Sequence, residues 1–209
     1  MPEMIGGRSD KSHLESRYGP APEARLEKLV SLENESSGLS VPEQQRVADQ
    51  LAQEIQQESD PVVRRQIIRS MTFLRSPAAD HIIRAGLHGD KDTSVRIACC
   101  KALGRRGGTE SVRELLTVLN HDDNIDVRLA AIRAIGVVGD PRVVPALGGA
   151  INPKEDPALQ HRTAQVLQSL TGQQLGNDLV AWRSYVASGV VPPRKPEPSL
   201  AERTLGWWR

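Results

Sequence analysis

Three arginines, Arg64, Arg96 and Arg128, each follow a valine and stand thirty-two residues apart. A guanidinium is a planar fork of donors that suits carboxylates, phosphates and carbonyls. A column of them either offers an anion stripe to an acidic partner or builds an internal ladder, each arginine bonding an Asp or a carbonyl of a neighbouring repeat. The ladder is the favoured reading. The column stops at Gln160, as a ladder would where no further repeat follows. A second column, Arg69, Lys101 and Arg133, lies six residues after each of those valines. That phase turns it away from the buried stripe, so it is a candidate contact for a partner as well as a solvated face. The remaining chemistry is sparse. None of the five histidines, His13, His81, His88, His121 and His161, belongs to a His-Glu sequence pair. Cys99 and Cys100 are adjacent, and neighbours on a helix diverge by about 100°, which disfavours a disulfide or a shared metal. They share columns with Ile67, Ala131, Ile68 and Ile132, and read as small buried hydrophobes. No metalloprotease, thiol-pair, nucleophile-elbow or phosphate-loop motif occurs. No catalytic, cofactor-binding or metal residue is assigned, and no cofactor is expected.

The columns exist because the chain repeats. Asp60-Pro61-Val62-Val63-Arg64, Asp92-Thr93-Ser94-Val95-Arg96, Asn124-Ile125-Asp126-Val127-Arg128 and Asp156-Pro157-Ala158-Leu159-Gln160 are in step at thirty-two residues. Helix–turn–helix units of this length stack into solenoids. Asp60, Asp92, Asn124 and Asp156 sit where a helix needs an acceptor for its free N–H groups. Val95/Val127, Ala98/Ala130, Ala102/Ala134 and Leu103/Ile135 are the expected buried columns of the first helices, and Leu115/Leu147 and Leu119/Ile151 those of the second. Gly104 and Gly136 are expected to end the first helices through the left-handed conformation. Pro145 should fix or kink the first turn of its helix. Before the repeats, a capping helix is predicted over about 23–33, with Leu26, Leu29, Val30 and Leu32 making apolar contacts. A second helix after Pro42 carries Val47, Leu51 and Ile55 on one face. In the last unit, Leu159, Ala164, Leu167 and Leu170 are expected to be buried. A final helix after Asp178 carries Trp182 as the anchor that closes the stack.

The expected organisation is a loosely tethered segment 1–20 and a repeat domain 21–189, with units near 21–59, 60–91, 92–123, 124–155 and 156–189. A proline-rich linker with a short tryptophan-bearing segment then runs over 190–209. Net charge is +1 and aromatic content 3%, so the chain as a whole is no polycation built for nucleic acid. Charge is uneven, however: residues 21–59 carry eight acids and three bases, and residues 60–113 eleven bases and five acids. No eighteen-residue apolar run is present and the start lacks an apolar signal core. The expectation is a cytoplasmic protein without a transmembrane segment.

The Asp-x-x-Val-Arg units, the Ala-Leu/Ile-Gly triplets and Gly139-Asp140-Pro141-Arg142-Val143-Val144-Pro145-Ala146-Leu147 resemble HEAT repeats, nearest the short bacterial type called HEAT-like or bilin-lyase-type. The resemblance covers 60–170 well and 21–59 weakly. It implies an all-α, right-handed superhelix of about four to five helix pairs. It also implies that the second helices line the inner, binding curve, here with Gln53, Ala85, Thr117 and Gly149 flanked by Asp49, His81, Arg84 and Arg113. The expected function is a non-catalytic protein-interaction scaffold or adaptor whose partner is another protein. A lyase or enzyme-maturation factor of the bilin-lyase kind is the alternative, as is weak nucleic-acid binding through the basic 60–113 segment. The candidate partner-binding residues are Gln53, His81, Arg84, Arg113, Thr117, Arg69, Lys101 and Arg133, with Trp207 and Trp208 in the tail. The sequence departs from the di-iron hydroxylases of this fold, which need repeated His-Glu pairs. It also lacks the aromatic-lined basic groove of the DNA glycosylases.

Overall fold

The computed structural model describes residues 22–191. The segment 1–20, the linker from residue 192 onward, Trp207 and Trp208 lie outside the described residues. Nine α-helices and two 3₁₀ helices make up the described chain: α1 (Pro22–Glu35), α2 (Val41–Gln57), α3 (Pro61–Met71), α4 (Pro77–Gly89), α5 (Thr93–Arg106), α6 (Gly108–His121), α7 (Ile125–Val138), α8 (Pro157–Thr171) and α9 (Leu179–Ser188). A one-turn 3₁₀ helix, Ser36–Gly38, follows α1, and a long one, Pro141–Ile151, follows α7.

The helices form two layers. First helices stack on first helices, in the order α1, α3, α5, α7, α8. Second helices stack in the order α2, α4, α6, the long 3₁₀ helix, α9. Each inner second helix also wedges against the first helix of the next unit, as α6 does on α7. This is an all-α solenoid, and the caps that start it are those the sequence indicates. Asp60, Asp92, Asn124 and Asp156 each accept a hydrogen bond from the amide two residues on, a contact stabilising by about 1 kcal/mol apiece. The core runs unbroken between the layers. Val63, Ile67, Met71 and Leu74, then Ile83 and Leu87, are shut off from solvent, and so are Leu115, Leu119, Leu147 and Ile151. Trp182 is fully buried at the far end, its indole N–H donating to the Gly176 carbonyl at 2.9 Å.

Three sequence expectations need correction. Gly104 and Gly136 do not end their helices: α5 runs on to Arg106 and α7 to Val138. The positive-φ glycines that end these helices are Gly107 and Gly139, with φ of 68° and 74°, and of the two only Gly139 is in the left-handed helical conformation. Gly104 and Gly136 are glycines because of what faces them. A Cβ on Gly104 would stand 2.9 Å from the Ala134 Cβ, and one on Gly136 3.0 Å from a Val166 methyl. The missing side chain is the room into which the next first helix fits. Second, Pro145 does more than kink a first turn, because the whole segment winds as 3₁₀. Pro145 removes a backbone donor inside the segment, and its ring crowds the carbonyl four residues back. Gly148-Gly149 further weakens the α form. Third, Val30 is exposed and Leu170 only partly buried.

The cysteines behave as core. Both thiols are fully buried, and burial pushes Cys99 well above the ordinary thiol range and Cys100 to about 12.

Candidate functional site

The arginine column is a ladder. Arg64 donates through Nε and Nη2 to both oxygens of Asp90, at 2.8 Å each, and through Nη1 to the Ser59 carbonyl at 2.8 Å. Arg96 repeats the pattern one unit later, with Asp122 at 2.9 and 3.1 Å and the Asp90 carbonyl at 3.0 Å. Arg128 reaches the Leu119 carbonyl and Glu155, at 2.7 and 2.8 Å. Arg64 and Arg96 therefore tie the inter-unit loop before their own helix to the inter-unit loop at the far end of the same unit, and Arg128 ties the last turn of α6 to Glu155. Gln160 keeps only the backward half, donating to the Glu155 carbonyl at 2.7 Å. Burial works against the Asp90 carboxylate, but hydrogen bonds from Arg64 and the Asp92 amide hold it below the usual aspartate range. These arginines are spent on architecture.

The second column is exposed as expected. Arg69, Lys101 and Arg133 stand on α3, α5 and α7 with their side chains in solvent, and Arg69 meets Glu33 of α1 at 3.4 Å. On the second-helix layer, Gln53 (α2), His81 (α4), Arg113 and Thr117 (α6) are exposed, and Arg84 (α4) is half-buried. These residues do not converge on one point. Arg113 pairs along its own helix with Glu110 and Glu114. The Thr117 hydroxyl donates to the Arg113 carbonyl at 3.1 Å, and Thr117 borders a small cavity of about 300 Å³ with His88, His121 and the Arg96–Asp122 pair. His88 bridges units by meeting Glu114 at 2.7 Å, a contact that holds the Glu114 carboxyl below its usual range.

Among the described candidates, Arg84 alone lines the large cavity. About 740 Å³ of space lies at the edge of the solenoid, where the turns α3–α4 and α5–α6 meet. Phe73, Arg75, Arg105 and Arg106 line it beside Arg84, and column reasoning missed all four. They do not recur. Arg106 stands where neighbouring repeats carry Leu74 and Val138, and Arg105 where they carry Phe73 and Val137. A pair of cations at otherwise apolar column positions was the available signal. Arg106 folds back onto the preceding unit, donating to Asp80 and to the Met71 carbonyl at 2.7 Å. Burial draws its guanidinium below the ordinary arginine range, Asp80 opposes this, and Arg84 and Arg75 add to it. A second groove of about 500 Å³ separates α1 from α2, with Leu29, Leu32, Val47 and Leu51 on its walls.

Among the described residues, no group of three or more His, Cys, Asp or Glu side chains is placed to hold a metal ion, and no helix is long and apolar enough to cross a membrane. In comparison with known families, the family model described as HEAT repeats matches residues 48–124 and 112–183. No curated protein matches the chain.

Proposed function

The chain belongs to the HEAT-repeat family, and from that premise we propose that it is a non-catalytic scaffold or adaptor that binds another protein. The observation that carries the reading is the division of labour among its arginines. One column is committed to fastening loops, while exposed polar side chains on the second-helix layer, Gln53, His81, Arg113 and Thr117, are spread over several units. A surface distributed in this way suits recognition by shape and charge along an extended partner rather than reaction at one point. The thirty-two-residue period supports grouping it with the short bacterial, bilin-lyase-type repeats, as a scaffold rather than a lyase.

The test is site-specific photo-cross-linking in the native host. A photoreactive residue replaces Gln53 or Thr117 on the second-helix layer, or Lys101 or Arg133 on the first-helix layer. The expected result is one protein trapped in near-stoichiometric yield from Gln53 and Thr117 and not from the other two. Adducts to nucleic acid, or a tetrapyrrole co-purifying with turnover, would replace the scaffold with one of the alternative functions.

A further inference from the structure

The cavity at the α3–α4 and α5–α6 turns has a charge pattern that specifies an occupant. Its carboxylates are already engaged. Asp80 accepts from Arg106, and Glu110 and Glu114 are held by Arg113 and His88. Three of its cations are not. Among the described residues, Arg75, Arg84 and Arg105 donate to no carboxylate. The Nε–H of Arg106, another lining residue, is buried without a hydrogen-bond partner among the described residues, and an unsatisfied buried donor is costly. The chain's single phenylalanine, Phe73, is 41% exposed at the mouth, and the Arg105 guanidinium lies 5.8 Å from its ring centre. A cation–π contact at this distance leaves the guanidinium N–H donors available for a carboxylate.

We propose that this cavity receives an acidic linear segment of a protein partner, its carboxylates meeting Arg75, Arg84 and Arg105 and one apolar side chain resting on Phe73. The proposal rests on the scaffold reading and names the chemistry of one contact within it. At about 740 Å³ the space lies within the ordinary range of ligand pockets and holds a few side chains. A nucleic-acid strand fits it poorly. One exposed ring offers a single stacking platform where single-strand binders use several.

Fluorescence anisotropy with the full chain tests this. The probe is a labelled peptide of eight glutamates around a central tryptophan, run beside a labelled oligothymidine of equal charge and a lysine counterpart of the peptide. The acidic peptide should bind and the lysine peptide should not. The double substitution Arg84→Ala/Arg105→Ala should weaken binding about thirtyfold, at roughly fivefold per lost ion pair. Phe73→Ala should weaken it about fivefold. Lys101→Ala/Arg133→Ala, which removes the same charge elsewhere, should change it less than twofold. Equal weakening by the two double variants, oligothymidine binding as tight as the peptide's, or no peptide binding by the unaltered chain would each overturn the proposal. Because the cross-linking positions Gln53 and Thr117 lie outside this cavity, failure of the pocket and failure of the scaffold reading are distinguishable.

Discussion

The units 92–123 and 124–155 share their columns and differ in backbone. In the first, the second helix is α-helical over Gly108–His121; in the second it is 3₁₀ over Pro141–Ile151. Yet Leu115 and Leu147 are equally buried, and so are Leu119 and Ile151. Length reconciles them. Fourteen residues at about 1.5 Å make roughly 21 Å, and eleven at about 2.0 Å make roughly 22 Å. The tighter winding covers the same span with fewer residues, and the anchors still reach the core. Burial therefore sets where the side chains go, while local prolines and glycines set the path between them.

The largest expected effect probes that equivalence. Leu115→Ala and Leu147→Ala should each cost about 2–5 kcal/mol, read as a shift of the urea midpoint. A loss near zero at Leu147 would mean that the 3₁₀ helix is not anchored as the α-helix is. Next are the two close approaches. Gly104→Ala meets both the Cα and the Cβ of Ala134, at 3.0 and 2.9 Å, and backbone cannot step aside. It should cost about 1–3 kcal/mol, despite alanine's better helix propensity. Gly136→Ala meets side-chain atoms of Val166, the nearest a methyl at 3.0 Å, and should cost less; the reverse order in thermal midpoints would invert the account of these glycines.

A smaller effect comes from the ladder at the loop that opens the first of the two units. The Asp90 carboxyl is held below its unfolded value of about 4. Its contribution to stability is therefore complete above that value and disappears as pH falls through the lower folded value. Asp90→Asn should be less stable than the parent at pH 7, and the gap should narrow steadily in acid. A gap independent of pH would remove the charge from the argument. The smallest effect is Pro145→Ala, expected to raise the far-ultraviolet helical signal while moving stability by under about 1 kcal/mol. No spectral change would place the cause of the 3₁₀ winding elsewhere, in Gly148-Gly149.

What was legible in the sequence was whatever recurs. Val95/Val127, Leu115/Leu147 and the arginine column announce themselves by period, because each unit meets the same neighbours. Gly104 and Gly136 recur too, but their reason lies in the helix of the following unit, so a local rule about turns assigned them the wrong role. The Arg75, Arg84 and Arg105 cavity was hidden for the opposite reason. It is built from departures at one junction, and only the fold brings residues from two turns to a common edge.

The double-ended grip of Arg64 and Arg96 has a mechanical corollary. Arg64 and Arg96 each reach an aspartate with a sequence separation of 26 and Arg128 a glutamate with one of 27, so excising 92–123 whole would return Arg64 and Arg128 to equivalent acceptors. Arg128 would find the Leu87 carbonyl where it now finds that of Leu119. A single residue added to the Asp90 or Asp122 loop would instead put the teeth out of mesh unless the acceptor lengthened too, as Glu155 does for Arg128. The array is a ruler graduated in whole periods, free to change its reach by entire units and by a single residue only where the acceptor side chain grows to match.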